Sequence, residues 1–188
     1  MQQYQEAKNS HPGMMLLFRM GDFYELFNSD AEDAARILGL TLTSRDKTVP
    51  MAGFPHHSLE NHLRKLLLAG KKVAVCDQVQ DASEAKGLVR REVTRIVTPG
   101  TLTEEDLLDP RSSNHLACVV QGARNQPWGL AWVELSTGSF HALDGQPGEI
   151  LDHLERIHPS EIIYPDDPKN PLPPLDLHLR MPEAALSP

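Results

Sequence analysis

A chain of 188 residues is long enough for one large domain or two small ones, and 40% hydrophobic with 23% charged residues excludes whole-chain disorder. No apolar run reaches the about 18 residues of a membrane-spanning helix, and the polar opening, residues 1–10, holds no signal-peptide core. The net charge of −8 argues against nucleic acid only if it is evenly spread, and two cysteines, Cys76 and Cys118, exclude a disulfide scaffold and fit a reducing cytosol.

Residues 1–9 read as a short polar helix or arm, stopped by Pro12 and Gly13. Residues 14–18 form an apolar run of strand length, for which periodicity alone leaves helix open. Asp22 stands where an N-cap would, with Glu25 three residues on, as in a capping box. Phe23, Leu26 and Phe27 then follow helical i, i+3, i+4 spacing, and Ala31, Ala34, Ala35 and Leu38 extend the stripe. Residues 28–30 offer a break between two helices, and Gly39 suits a helix end. Residues 49–54 read as an extended segment between Pro50 and Pro55. Ser58 caps a helix with Leu59, Leu63, Leu66 and Leu67 on one face, closed by Gly70. Residues 73–76 are a buried strand, 80–87 a polar loop, and 89–97 an alternating strand. An acidic, proline-bracketed stretch from Thr98 to Pro110 marks a boundary. After it come strands at 116–120, 129–135 and 139–143, a helix bearing Ile150, Leu151, Leu154 and Ile157, and a strand at 161–164. The tail from Pro165 holds seven of the fifteen prolines and reads as a linker or an incomplete domain.

Charge divides along the same boundary. Residues 1–100 hold 13 Lys/Arg and 12 Asp/Glu, whereas 101–188 hold 5 and 14; residues 45–95 alone carry a balance of +4. A local basic surface is enough for DNA. Arg45, Lys47, Arg64, Lys65, Lys86, Arg90, Arg91 and Arg95 are candidates for phosphate contact, each with the alternative of a solvated surface charge.

Several chemistries are excluded by what the sequence lacks. It has no G-x-x-x-x-G-K-[ST] phosphate loop, no dinucleotide fingerprint and no G-x-S-x-G elbow. His56, His57 and His62 are too far apart on a helix to share a metal and read as surface histidines. No metal site and no catalytic residue are expected. The β-β-β-α-β order of the second half resembles the opening of an RNase H-like fold. A two-metal nuclease needs clustered carboxylates, and Glu134 stands alone.

The informative segment is Arg19-Met20-Gly21-Asp22-Phe23-Tyr24-Glu25-Leu26-Phe27. It resembles the N-terminal mismatch-recognition domain of the MutS family of bacterial DNA mismatch-repair proteins. The likeness continues through Pro50-Met51-Ala52-Gly53-Phe54-Pro55-His56-His57, Val73-Ala74-Val75-Cys76-Asp77-Gln78 and Arg95-Ile96-Val97-Thr98-Pro99-Gly100-Thr101. Trp128-Gly129-Leu130-Ala131-Trp132 and Ser136-Thr137-Gly138 resemble the start of the family's connector domain. Four separated blocks in family order make the likeness specific. It implies an α/β fold: a mixed-sheet mismatch-recognition domain over 1–100, a linker over 101–114, and the incomplete start of an RNase H-like connector over 115–188.

The resemblance also implies a Phe-x-Glu element, here Phe23 and Glu25, that enters the minor groove of duplex DNA at mispairs or small loops, with Met51 beside it. A Phe wedge stacks on a poorly paired base and kinks the duplex, so deformability is read rather than base identity. Two readings of these residues stand side by side: Phe23 as wedge or as core, and Glu25 as base contact or as cap. The family's lever, clamp and ATPase domains fall outside these residues, so ATP and Mg belong to the parent protein and the fragment is not expected to be an enzyme. The parent dimerises, whereas the fragment is expected to be a cytoplasmic, nucleoid-acting monomer whose acidic connector meets other domains and repair proteins. The alternatives are an RNase H-type nuclease and a MutS-like recombination or protein-interaction module that does not read mismatches.

Overall fold

The computed structural model describes residues 1–45, 48–80, 87–102, 112–123, 126–166, 177 and 179–188, and divides into two units, Met1–Val97 and Thr98–Pro188. The first is built on six strands: β1 (Met15–Met20), β2 (Phe23–Phe27), β3 (Thr43–Arg45), β4 (Val49–Pro55), β5 (Val73–Gln78) and β6 (Arg91–Val97). Their order is β3-β4-β2-β1-β5-β6, and only the β1–β5 pair is parallel. Among the described residues three α-helices accompany them: α1 (Gln2–Ser10), α2 (Asn28–Leu38) and α3 (Leu59–Leu68).

The period of two decides the layers. On β2, Tyr24 and Leu26 are buried, as are Ala52 and Phe54 on β4. α2 lies against β2 and β4, and α3 against β5. Their buried residues are Ala31 and Ala34 on α2 and Leu63, Leu66 and Leu67 on α3. A second cluster gathers Leu16, Phe18, Phe27, Ala74 and Cys76 around Tyr4 of α1. Tyr4 meets Phe18 and Phe27 edge-on, with ring centroids 5.6 and 4.9 Å apart. Asp30 of α2 ties these parts together. Its carboxylate accepts from Lys8 Nζ at 2.6 Å and from the Leu16 N–H at 3.0 Å, while Lys8 also donates to the Met14 carbonyl.

The helix expected from Asp22 onward is not there. Residues 23–27 are a strand, and α2 starts only at Asn28. Gly21 and Asp22 are a two-residue loop, because Met20 pairs with Phe23. Gly21 has φ +60°, the conformation that a type II′ hairpin turn places on its first central glycine. Tertiary pairing with β4 then fixes 23–27 as extended, so Glu25 has no N3 position and forms no capping box. Ser58 does precede α3 but makes no side-chain cap bond, since a short 3-10 turn, His56–Ser58, leads into the helix.

The second unit holds β7 (His115–Val120), β8 (Trp128–Glu134), β9 (Ser139–Gly145), α4 (Pro147–Ile157), β10 (Glu161–Ile163) and β11 (Ala185–Ser187). The sheet order is β11-β10-β7-β8-β9, with β10 parallel to both its neighbours. Ala117, Val119, Leu130 and Ile162 pack with Ile150 and Leu154 of α4. Leu177, Met181 and Ala184 join that core, and β11 adds a fifth strand. Leu177 and residues 179–188 are therefore part of the unit, and the linker reading of the tail fails there. Proline density marks irregular backbone, but the apolar residues among the prolines still bury themselves. A short turn, Pro99–Thr101, belongs to this unit: the Gly100 N–H donates to Glu161 at 3.1 Å, and Ser187 Oγ donates to the same carboxylate at 2.6 Å. Residues 103–111 of the expected linker lie outside the described residues.

Candidate functional site

β2 places Phe23 and Glu25 on the sheet face opposite Tyr24 and Leu26. Phe23 opens the strand, opposite Met20 on one side and Pro55 on the other, and is 47% exposed. That exposure decides against the core reading of Phe23, while Leu26 and Phe27 are fully buried. Glu25, half-buried, lies between Phe18 and Gly53. Gly53 is required there: a Cβ would stand 2.9 Å from the Tyr24 carbonyl oxygen and 3.6 Å from Glu25 Cγ. Phe23, Glu25, Met51 and Gly53, with Leu40 and Thr43, line one open groove of about 490 Å³. Met51, opposite Phe27 in the ladder, shares this groove with Phe23 and Glu25.

The underside of the strand is anchored by a residue that spacing did not single out. Tyr24 sends its hydroxyl past β1 to Asp77 Oδ1 on β5, 2.5 Å away, and Thr94 donates to the other oxygen of Asp77 at 2.6 Å. Burial, then the bond to Asp77, pushes the Tyr24 phenol above its ordinary range. The Arg19 guanidinium lies over the Tyr24 ring, 5.6 Å from its centroid. The turn before Phe23 is held as well. The Asp22 carbonyl accepts from the His56 N–H at 2.8 Å and meets its ring Nδ1 at 3.1 Å. A two-residue Gly-Asp loop between apolar runs was the available signal for this hairpin.

The described basic candidates are spread over three elements. Arg45 ends β3 at one sheet edge, opposite Val49. Arg91 and Arg95 lie on β6 at the other edge, with Arg90 just before them. Arg64 and Lys65 are exposed on α3. Arg90 pairs with Glu92, and Arg95 donates to Glu60 at 2.9 Å. Arg91 is half-buried, its guanidinium donating to the Arg19 and Val89 carbonyls. Lys47 and Lys86 lie outside the described residues. His56 and His57 are exposed, and His62 stacks on Phe54 at 4.1 Å. Among the described residues, no three His, Cys, Asp or Glu side chains converge as a metal site would require, and no helix is long and apolar enough to cross a membrane.

Both units match known families. MutS domain I matches residues 1–106, and MutS domain II matches residues 114–181. The two units are therefore of the MutS domain I and MutS domain II class, domain I carrying the Phe23 groove and domain II the second sheet. The DNA mismatch repair protein MutS of Rhodopirellula baltica is 51% identical over 189 aligned residues, covering 89% of this chain and 21% of that protein. The DNA mismatch repair protein MutS of Syntrophobacter fumaroxidans is 44% identical over 176 residues, covering 91% and 20%. The chain belongs to the MutS family. It spans about a fifth of the length of these curated relatives.

Proposed function

We propose that the chain recognises mispaired or unpaired bases in duplex DNA and so serves DNA mismatch repair, with Phe23 entering the minor groove. One observation carries this reading: a large aromatic side chain, 47% exposed, stands at the rim of an open groove with a carboxylate two residues on. Exposing Phe23 is unfavourable in the free chain, and stacking on a base removes that surface from water. Unstacking a duplex step costs a few kcal/mol and least where pairing is already broken, so insertion selects mispairs. Glu25 is repelled by the phosphates on either side of the groove unless it gains a hydrogen bond from a base edge, or is protonated and donates one. Well-paired DNA resists the Phe23 insertion that brings a base edge within reach of Glu25, so there the repulsion stands uncompensated and rejects it.

The whole protein's ATP turnover lies outside these residues in this reading, since they contain no phosphate loop to cradle ATP and Mg. The chain by itself is then not an enzyme. The second unit, whose 101–188 stretch carries nine more acidic than basic residues, faces protein partners rather than DNA. The chain acts as a cytoplasmic monomer, while the longer protein dimerises.

The test compares affinities for mispaired and paired duplex at one stated salt. Phe23→Ala is expected to abolish the difference with the fold intact. Equal affinity of the unsubstituted protein for both duplexes would overturn the reading and point to a MutS-like interaction module.

A further inference from the structure

The hairpin that carries Phe23 overhangs its sheet. β1 pairs with β5 only as far as Phe18, opposite Cys76, so Arg19 and Met20 have β2 on one side and no ladder partner on the other. Backbone groups in that position need other partners. Arg91 supplies them. From β6 its side chain crosses the end of β5, and its Nε donates to the Arg19 carbonyl at 2.6 Å. Its Nη1 donates to the Val89 carbonyl at 2.8 Å, and its plane lies over the Phe18 ring, 5.5 Å from the centroid. The side-chain amide of Gln78, opposite Arg91 in the ladder, faces two donors, Arg91 Nη2 at 3.2 Å and the Gly21 N–H at 3.3 Å, which assigns its oxygen rather than its nitrogen to that side. Arg19 Nε holds the Gly21 carbonyl at 2.5 Å. Both polar groups of Gly21, two residues before Phe23, are thus secured by a chain that runs back to one guanidinium.

We infer that Arg91 is a positioning residue for Phe23: through Gln78 and the Arg19 carbonyl it fixes the overhanging hairpin, instead of holding a DNA phosphate. This rests on the reading of Phe23 as a minor-groove wedge. A planar fork with several donors suits the task, and a lysine ammonium cannot reproduce it. The geometry also separates Arg91 from an ordinary phosphate contact, whose charge would face solvent.

Two measurements test it. The first is hydrogen exchange in the free 188-residue chain. Arg91→Ala and Gln78→Leu are expected to speed Gly21 amide exchange by about tenfold or more while the Leu16 and Leu17 amides stay protected. Arg91→Lys is expected not to restore protection. Unchanged Gly21 exchange, or a uniform rise at all amides, would overturn the inference.

The second is titration with mispaired and paired duplex over a range of salt. Both variants are expected to lose most discrimination with the salt slope for paired duplex unchanged. A phosphate contact would instead weaken both duplexes equally and lower the slope by about one, with Lys restoring it. That result would overturn the proposal. Phe23→Ala run alongside separates the two readings. Discrimination that survives Phe23→Ala sinks the wedge itself, whereas loss in Phe23→Ala with none in Arg91→Ala sinks only the role of Arg91.

Discussion

Phe23 and Leu26 sit three residues apart on one strand and have opposite environments, which makes them a matched pair for mutation. Leu26→Ala is expected to cost about 2–5 kcal/mol, as a fully buried leucine does. Phe23→Ala should leave the melting temperature nearly unchanged; a melting curve for each variant checks this. Tyr24→Phe removes the donor to Asp77 and is expected to cost about 1.5–3 kcal/mol in a denaturant titration, since a bond to a charged group is lost. Alkaline pH should act in the same direction. Burial pushes the Cys76 thiol up to about 11 and the Tyr4 phenol up to about 12, and Tyr24 is raised as well. Folding thus favours the neutral form of all three. Their contribution is complete below the unfolded values near pH 9–10 and is lost as pH rises toward the folded ones. Stability measured from pH 8 to 12 should fall across that window, and a flat profile would contradict it. Phe23 itself was legible only through the family resemblance, because its spacing to Leu26 and Phe27 fits a helix as well as a strand.

The β1–β2 hairpin shows why local pattern misled. Asp22 and Glu25 have capping-box spacing, and three apolar residues lie at helical intervals, yet β1 and β4 offer a ladder on both sides of residues 23–27. Pairing on two sides outweighs a few tenths of a kcal/mol of helix preference. The Gly-Asp loop was the stronger signal, since a two-residue glycine turn between apolar runs suits a hairpin and not a helix start. Gly21→Ala should therefore cost about 1–2 kcal/mol at φ +60°. It should also weaken mispair discrimination by tilting Phe23, which binding to both duplexes would show. The elements read correctly were those with a single dominant cue. The leucine face of α3, closed by Gly70, and the apolar β5 are examples. Asp30 escaped notice because an acidic residue in a helix normally faces water, and Glu32 and Asp33 stand beside it in α2. Its role depends on Lys8 and the Leu16 N–H, which only the tertiary fold brings to it. Asp30→Ala is expected to destabilise by about 1.5–3 kcal/mol in chemical unfolding, because it takes the acceptor from the Leu16 N–H and from the half-buried Lys8 ammonium.

For the whole molecule, the charge division assigns the two units different surroundings. Expressed separately, residues 1–97 should bind duplex with an affinity that falls as salt rises, and residues 98–188 should bind it far less. Tighter binding by residues 98–188 would reverse the assignment. The two-part organisation was legible from the composition shift and the proline-bracketed stretch. The contribution of the tail was not, because Leu177, Met181 and Ala184 keep helical i, i+4, i+7 spacing for only two turns, directly after a run of prolines at 165–174 that reads as irregular backbone. The Glu161 carboxylate in that second unit has a mechanical consequence. Gly100, near the unit's first residue, and Ser187, near its last, both donate to it. Tension entering through Thr98 and leaving past Ser187 meets that carboxylate on the β10–β11 pair, a path that bypasses β8, β9 and α4. A pull on the two ends is then taken first by two hydrogen bonds to one side chain and by the short β10–β11 ladder.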